Sequence, residues 1–309
     1  MTPGPLLSLE DAQSRLLALA HPLPATDLPV AEASGRWLAG DVTALRSQPP
    51  DPMSAMDGYA VRQADMPGPW QVIGESAAGH PFQGKVGPGE AVRIATGAVL
   101  PAGADMVAVQ EDCRRESDSL FFKGEAPEPL GRHIRPRGLD FMEGDIVCGA
   151  GERLTPARLA LAICAGHGQL PVHVRANVAI IESGDELRAA GQDLPPGAIP
   201  ASNGTMLGSL FADLGCKVMQ TGPVPDRREA LRSAFEAADD ADLIVTSGGA
   251  SVGDHDLVLP VLEEMGARID FWRVAIKPGK PILVASLDGR MVIGLPGNPV
   301  SSFVTAHLF

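Results

Sequence analysis

NVAIIESGDE (residues 177–186) and DLIVTSGGASVG (residues 242–253) decide the fold, because each is a short apolar run that breaks into a glycine turn. Neither run shows the apolar–polar alternation of a strand with one wet face. Unalternating strands are buried on both sides, which means a mostly parallel sheet covered by helices on each face. The segments between and beyond them supply those helices. Residues 203–214 form a helical pattern opened by Asn203, with Met206, Leu207, Leu210, Phe211 and Leu214 inward. KVMQTGPV (residues 217–224) is a strand. Residues 226–238 are a helix with Asp226 at the cap and Glu229 three positions later, a capping-box spacing. A helix over 254–265 and strands at 271–274, 281–285 and 291–294 follow. PGNP then opens a last helix, with Asn298 as cap and Pro299 in its first turn.

Upstream of this regular alternation the pattern differs. Residues 9–20 predict a helix with Ser8 as cap, Asp11 three positions on, and Leu9, Ala12, Leu16, Leu17 and Ala20 on one face. Residues 31–42 read as a second helical or mixed segment. From about residue 46 to 145 short β-like runs appear: WQVIG (70–74), AVRIATG (91–97), DMVAVQ (105–110), LFFK (120–123) and DIVC (145–148). Gly/Pro clusters separate them, as in a compact β module. Thr155 followed by Pro156 opens a helix over 155–165.

The composition is that of an ordinary globular chain: 309 residues, 45% hydrophobic and 20% charged. The longest apolar stretch, residues 159–165, is far shorter than the ~18–20 residues of a membrane span. No basic region precedes an apolar run at the N-terminus, so no signal peptide is read. The four cysteines, Cys113, Cys148, Cys164 and Cys216, have no zinc or CxxC spacing and are expected to be buried or inert thiols of a reducing cytoplasm. A net charge of −13 argues against a general nucleic-acid binder. If the ligand is an anion, helix N-termini, backbone amides and a few cations must build a locally positive site.

Three suggestive segments fall at strand carboxyl ends, where α/β sheets bind ligands: SGDE (183–186), SGGASVGDHD (247–256) and LPGNP (295–299). In the second, Ser247, Gly248, Gly249, Ser251 and Gly253 combine close backbone approach with amides and hydroxyls for phosphate-like oxygens. It is neither GxGxxG nor a Walker A loop, and a plain strand–helix turn is the competing reading. Glu186, Asp226 and Asp256 lie just after strands. Carboxylates beside an anion cradle make sense if Mg2+ bridges them to phosphate, although Asp226 is equally explained as a cap. Lys277 and Lys280 on the stiff AIKPGKP turn (275–281) can hold an oxyanion, and Asn298 sits at a helix N-terminus. Upstream, SAMDGYA (54–60) presents Asp57, RIATGA (93–98) presents Thr96, and RPRGLD (135–140) clusters Arg137 with Asp140.

These seven motifs occur in the order seen in the molybdopterin molybdenumtransferases, which the chain resembles over residues 8–309. The resemblance implies a multidomain α/β plus β fold. Its parts are a small mixed N-terminal domain (1–44 with 146–173), an inserted β-rich module (45–145) and a three-layer α/β molybdopterin-binding domain (174–309). It implies that adenylylated molybdopterin is bound with Mg2+, molybdate is inserted and AMP is released. Asp57 and Thr96 match the family's β-module site residues; Glu186, Asp226 and Asp256 match its acidic, metal-holding residues; Lys277 and Lys280 match its basic turn. A cytoplasmic homodimer working with molybdopterin adenylyltransferase and molybdoenzymes is implied as well, without nucleic acid or membrane. The chain departs from the family pattern in IPASN (199–203), where Ala201 replaces an acid, and at Leu139, Ser183 and Leu257. It also ends at Phe309, where the family continues into a fourth, β-rich domain. Two other readings stay open: a non-catalytic molybdopterin-binding scaffold, and a nucleotide enzyme of the molybdopterin adenylyltransferase type.

Overall fold

The computed structural model describes residues 6–125, 128–129, 131–248 and 257–309, with the Trp272 side chain excepted. The chain divides into two compact units, residues 27–172 and residues 1–26 with 173–309. Helix α1 (Leu9–Leu19) opens as its sequence predicts, with the Ser8 hydroxyl accepting from the Asp11 amide. Only Ala12 and Leu16 of its expected apolar face are buried, and Leu17 is 72% exposed. The buried stripe is therefore narrower than the run of apolar residues suggested.

The 27–172 unit holds a six-stranded sheet built from β1 (Gly58–Val61), β2 (Trp70–Ser76), β3 (Glu90–Ile94), β4 (Met106–Val109), β5 (Cys113–Glu116) and β6 (Ser119–Phe122). Their order is β4-β1-β3-β2-β6-β5, with only β2 and β3 parallel. One face buries Tyr59, Trp70, Met106 and Leu120, and the other buries Val92, Ile94 and Val107. Alternate residues of β4 thus enter opposite cores, as the two-residue period of a strand requires. A separate small core gathers Leu38, Leu154, Ala162 and Leu170 around α2 (Pro156–Cys164), which Thr155 caps. The expected helical or mixed segment at 31–42 yields a single helical turn, Val30–Glu32, then β-bridges from Trp37 to Arg153 and from Leu38 to Val172, and at its end the short strand Val42–Thr43.

The second unit is the α/β body. In chain order it contains β7 (Asn177–Ser183), α3 (Asn203–Asp213), β8 (Lys217–Val224), α4 (Arg228–Glu236), β9 (Leu243–Ser247), α5 (Val258–Glu264), β10 (Arg268–Trp272), β11 (Leu283–Leu287), β12 (Arg290–Leu295) and α6 (Pro299–Leu308). The sheet runs β8-β7-β9-β12-β11-β10; its first four strands are parallel, β11 runs antiparallel to β12, and β10 antiparallel to β11. Ala179 and Ile181 of β7 enter a core with Leu231 and Phe235 of α4 and Leu262 of α5, whereas Val178 and Ile180 enter one with Leu16 of α1 and Leu207 of α3. Both faces of the sheet are covered, so the strands could carry apolar residues at every position.

All four cysteines are free; Cys164 is exposed rather than buried, and burial pushes the Cys113 thiol up to about 11. Among the described residues no helix is long and apolar enough to cross a membrane.

Candidate functional site

Parallel strands in register deliver their carboxyl ends to one edge. Here Glu182 of β7 pairs with Ser247 of β9, Ser247 pairs with Leu295 of β12, and Ser183 pairs with Val224 of β8. The turns that follow are therefore neighbours. Gly248 lies against the Ser183 carbonyl, and Gly297 lies against Gly248. SGDE, the start of the serine–glycine segment and PGNP thus meet on the same sheet edge.

Asn203 joins them. Its side-chain Nδ2 donates to Ser247 Oγ (2.7 Å) and to the Gly297 carbonyl (2.8 Å). Its backbone amide donates to Glu182 Oε1, and the Gly204 amide donates to Glu182 Oε2, both at 2.9 Å. Asn203 is thus not the cap expected of it. It is the first helical residue, and the N-cap position, Ser202, makes no side-chain cap bond. Of the α3 residues expected inward, Leu207 is fully buried while Leu214 is 45% exposed.

Asp226 is likewise displaced from its expected role. Helix α4 starts at Arg228, with Arg227 at the cap position, so no capping box forms. Instead the Asp226 amide donates to Asp185 Oδ1 (3.1 Å) and the Asp185 amide donates to Asp226 Oδ2 (3.2 Å). The reciprocal pair fixes the β7 and β8 turns together and holds two carboxylates at the edge. The Glu186 carboxylate folds back over Gly184 in the same turn.

Lys277 and Lys280 are exposed on a turn whose Gly279 lies against Thr305 of α6. That helix begins at Asn298, whose Oδ1 accepts from the Ser301 amide (3.1 Å), as its sequence predicts. Just before the turn, Arg273 holds a left-handed backbone (φ 111°), with its amide bound to Ile282 and its carbonyl to Leu7. Gly249, Ser251, Gly253 and Asp256, with the neighbouring Asp254 and His255, lie outside the described residues.

In the other unit, Asp57 Oδ1 accepts from both the Thr96 amide (2.7 Å) and the Thr96 hydroxyl (2.9 Å). Arg93 donates to the Gly58 carbonyl (2.7 Å) and to Gln110 Oε1 (2.8 Å), which ties the Asp57 turn to the sheet. The Thr96 amide, then the Thr96 hydroxyl, hold the Asp57 carboxyl below its ordinary value of 3.8. A lowered folded-state value stabilises the fold at pH above the unfolded value, and the contribution is lost as pH falls through the lowered one. Asp57 is thus fully ionised near neutrality. In a carbon-13 titration its midpoint is expected below 3.8. Thr96→Val, which removes the hydroxyl but keeps the stronger amide bond, should raise that midpoint without restoring it fully. A midpoint at or above the ordinary value in the parent would contradict the geometry. Arg137 and Asp140 sit on an exposed loop, where the Asp140 amide donates to Gln48 O (2.9 Å) and the Gly138 amide to Pro49 O (2.9 Å).

Sequence reasoning singled out Glu186 and Asp226 but passed over Glu182, Asp185 and Asn203. The available signal was Glu182 itself, a charge set in an otherwise apolar strand just before its turn. Two cavities lie away from this edge. One of about 220 Å³ is at the opposite strand ends, lined by Asn177, Lys217 and Asp240; another of about 590 Å³ is beside β4, lined by Asp112, Arg132 and His133. Among the described residues no three His, Cys, Asp or Glu side chains converge as a metal-holding group. Mg2+ needs fewer, since it usually takes one or two carboxylates plus substrate phosphates and water. The two carboxylate residues that the structure joins at this edge are Asp185 and Asp226, through their reciprocal backbone bonds.

Residues 7–166 match the family described as the MoeA N-terminal region (domain I and II), and residues 179–309 the family described as the probable molybdopterin binding domain. The chain is 39% identical to a molybdopterin molybdenumtransferase of Haemophilus influenzae, over 98% of its own length and 75% of that protein's. It is 37% identical to molybdopterin molybdenumtransferase 2 of Mycobacterium tuberculosis, over 91% of this chain and 72% of that one. Its fold is similar to the crystal structure of a molybdopterin biosynthesis moeA protein from Pyrococcus horikoshii, with a TM-score of 0.82 and 32% identity over 98% of this chain and 78% of that one.

Proposed function

The chain belongs to the molybdopterin molybdenumtransferases, enzymes of molybdenum cofactor biosynthesis, and from that membership we propose that it inserts molybdate into adenylylated molybdopterin and releases AMP. The observation that carries this reading is the convergence of three strand ends, β7, β9 and β12, with a carboxylate pair on one side and the Asn298 helix start on the other. Both substrates are anions, whereas the chain is strongly acidic. Backbone amides at the Gly248 turn, the N-terminus of α6, and Lys277 and Lys280 supply the local positive field that such ligands need. Glu186, Asp226 and Asp256 would hold Mg2+, which polarises a phosphoanhydride when bound. Asp57, which accepts from the Thr96 amide and hydroxyl, is assigned a substrate-orienting role from the family resemblance. That arrangement, and action as a homodimer in the cytoplasm, are part of the proposal. So is the division into a split N-terminal domain, an inserted β module and an α/β body.

The test is AMP release from adenylylated molybdopterin with Mg2+ and molybdate, comparing the parent with Asp226→Asn. Molybdate-dependent release that falls about tenfold or more in the variant is expected, on the scale of lost metal-orienting groups. Tight binding without release would favour the scaffold reading. Absence of binding would sink the site assignment.

A further inference from the structure

Glu182 is an expensive residue where it stands. It is 7% exposed, on a strand with both faces covered, in a position that an apolar side chain fills at no electrostatic cost. What compensates it is the start of α3, whose first two amides, those of Asn203 and Gly204, each donate to one of its oxygens at 2.9 Å. The carboxylate thereby replaces the cap that Ser202 does not supply, and it meets the positive end of the helix. Two consequences follow. The N-terminus of α3 is closed by the protein's own charge and is spent as an anion site. The backbone of Asn203 is also fixed to β7.

The Asn203 side chain then spends both amide hydrogens on the other two loops, at Ser247 Oγ (2.7 Å) and Gly297 O (2.8 Å). The orientation of its amide is determined chemically. The Gly297 carbonyl can only accept, so the nitrogen must face it. Asn203 Oδ1 is left buried with no partner among the described residues, as is Ser183 Oγ at the end of β7. A side chain that leaves an oxygen unpaired in order to aim both donors at separate loops is organised around those loops.

We infer that Glu182 and Asn203 are positioning residues: Glu182 anchors Asn203 to β7, and Asn203 sets the spacing of the Ser247 and Gly297 loops that form the cradle. The inference rests on reading this edge as the substrate site. Neither residue needs to touch substrate. They act by holding the amides of the Gly248 and Asn298 turns at a fixed separation, and loosening such a frame by about an ångström can cost on the order of a hundredfold.

The test measures the dissociation constant of adenylylated molybdopterin for the full chain and for Glu182→Ala, Glu182→Gln and Asn203→Asp, each well below its unfolding temperature. Leu207→Ala serves as the control. It removes a fully buried side chain from the same helix and lowers stability while leaving every bond of the clamp in place. Affinity is expected to weaken about tenfold or more in Asn203→Asp and Glu182→Ala and less in Glu182→Gln, which keeps one acceptor, but to stay within about twofold in Leu207→Ala. If Glu182→Ala does not fold, the same-sized Gln and Asp variants decide alone. Variants that bind like a competent parent, or a control that weakens equally, would overturn the positioning role. A parent that does not bind overturns the site reading and this inference together.

Discussion

Gly248→Ala is expected to destabilise the α/β unit by about 3 kcal/mol or more and to remove ligand binding at the sheet edge. Two independent costs meet at this position. Gly248 has φ +93°, a backbone conformation that costs an L residue roughly 1–3 kcal/mol. An added Cβ would also fall closer than 3.0 Å to the Ser183 carbonyl oxygen, which belongs to the end of β7 and cannot swing aside as a flexible side chain would. Relief requires the β9 turn to move away from the β7 turn, and that movement opens the edge at which Ser183, Gly248 and Gly297 meet. Urea unfolding measures the first effect and ligand titration the second. A variant within about 1 kcal/mol of the parent would mean that the two turns are not held together as described.

Gly58→Ala carries the same logic to the β-rich unit. Gly58 pairs with Val109 across β1 and β4, and a Cβ there would fall closer than 3.0 Å to the Ala108 carbonyl oxygen, with the Val109 Cα also near. The obstacle is again backbone. The strands must separate, and Asp57, one residue away, moves with them. A loss of about 3 kcal/mol is expected, at the upper end of overpacking costs because no side chain can rotate to make room. For a unit of this size that corresponds to a fall in Tm of roughly 6–12 °C. The bond from the Gln110 amide to the Asp57 carbonyl (3.1 Å) lies in the same turn, so a Thr96–Asp57 contact that survived unchanged by NMR would count against the account.

The elements of the α/β unit were legible because its central strands are mostly apolar and its turns carry Gly and Pro. Asn298 was legible as a cap because the whole signal, Asn then Pro then a hydroxyl residue, is local. Asn203 and Asp226 carried the same local signal and were misread by it. The oxygen that caps α3 comes from Glu182, 21 positions upstream, and the partner of Asp226 is Asp185, 41 positions away. Side chains that cap their own helix follow a short-range pattern; those recruited to join strand ends depend on which strands become neighbours, and the order β8-β7-β9-β12 is set by packing. Leu17 illustrates the other limit, since an apolar residue on the edge of a helical stripe is buried only if something lies opposite it.

Helix α1 packs with residues from the far end of the chain: Ala12 and Leu16 share a core with Val178, Leu295 and, more loosely, Phe309. During synthesis the ribosome releases α1 first, then about 150 residues that belong to the other unit, and only then the strands that α1 covers. At ~5–20 residues per second that interval is roughly 8–30 s. For that time the 27–172 unit can complete itself while α1 waits, an amphipathic tether with its partner not yet translated. The pairing of β9 with β12 and the burial of α1 against Leu295 therefore both wait for strands translated after the 27–172 unit.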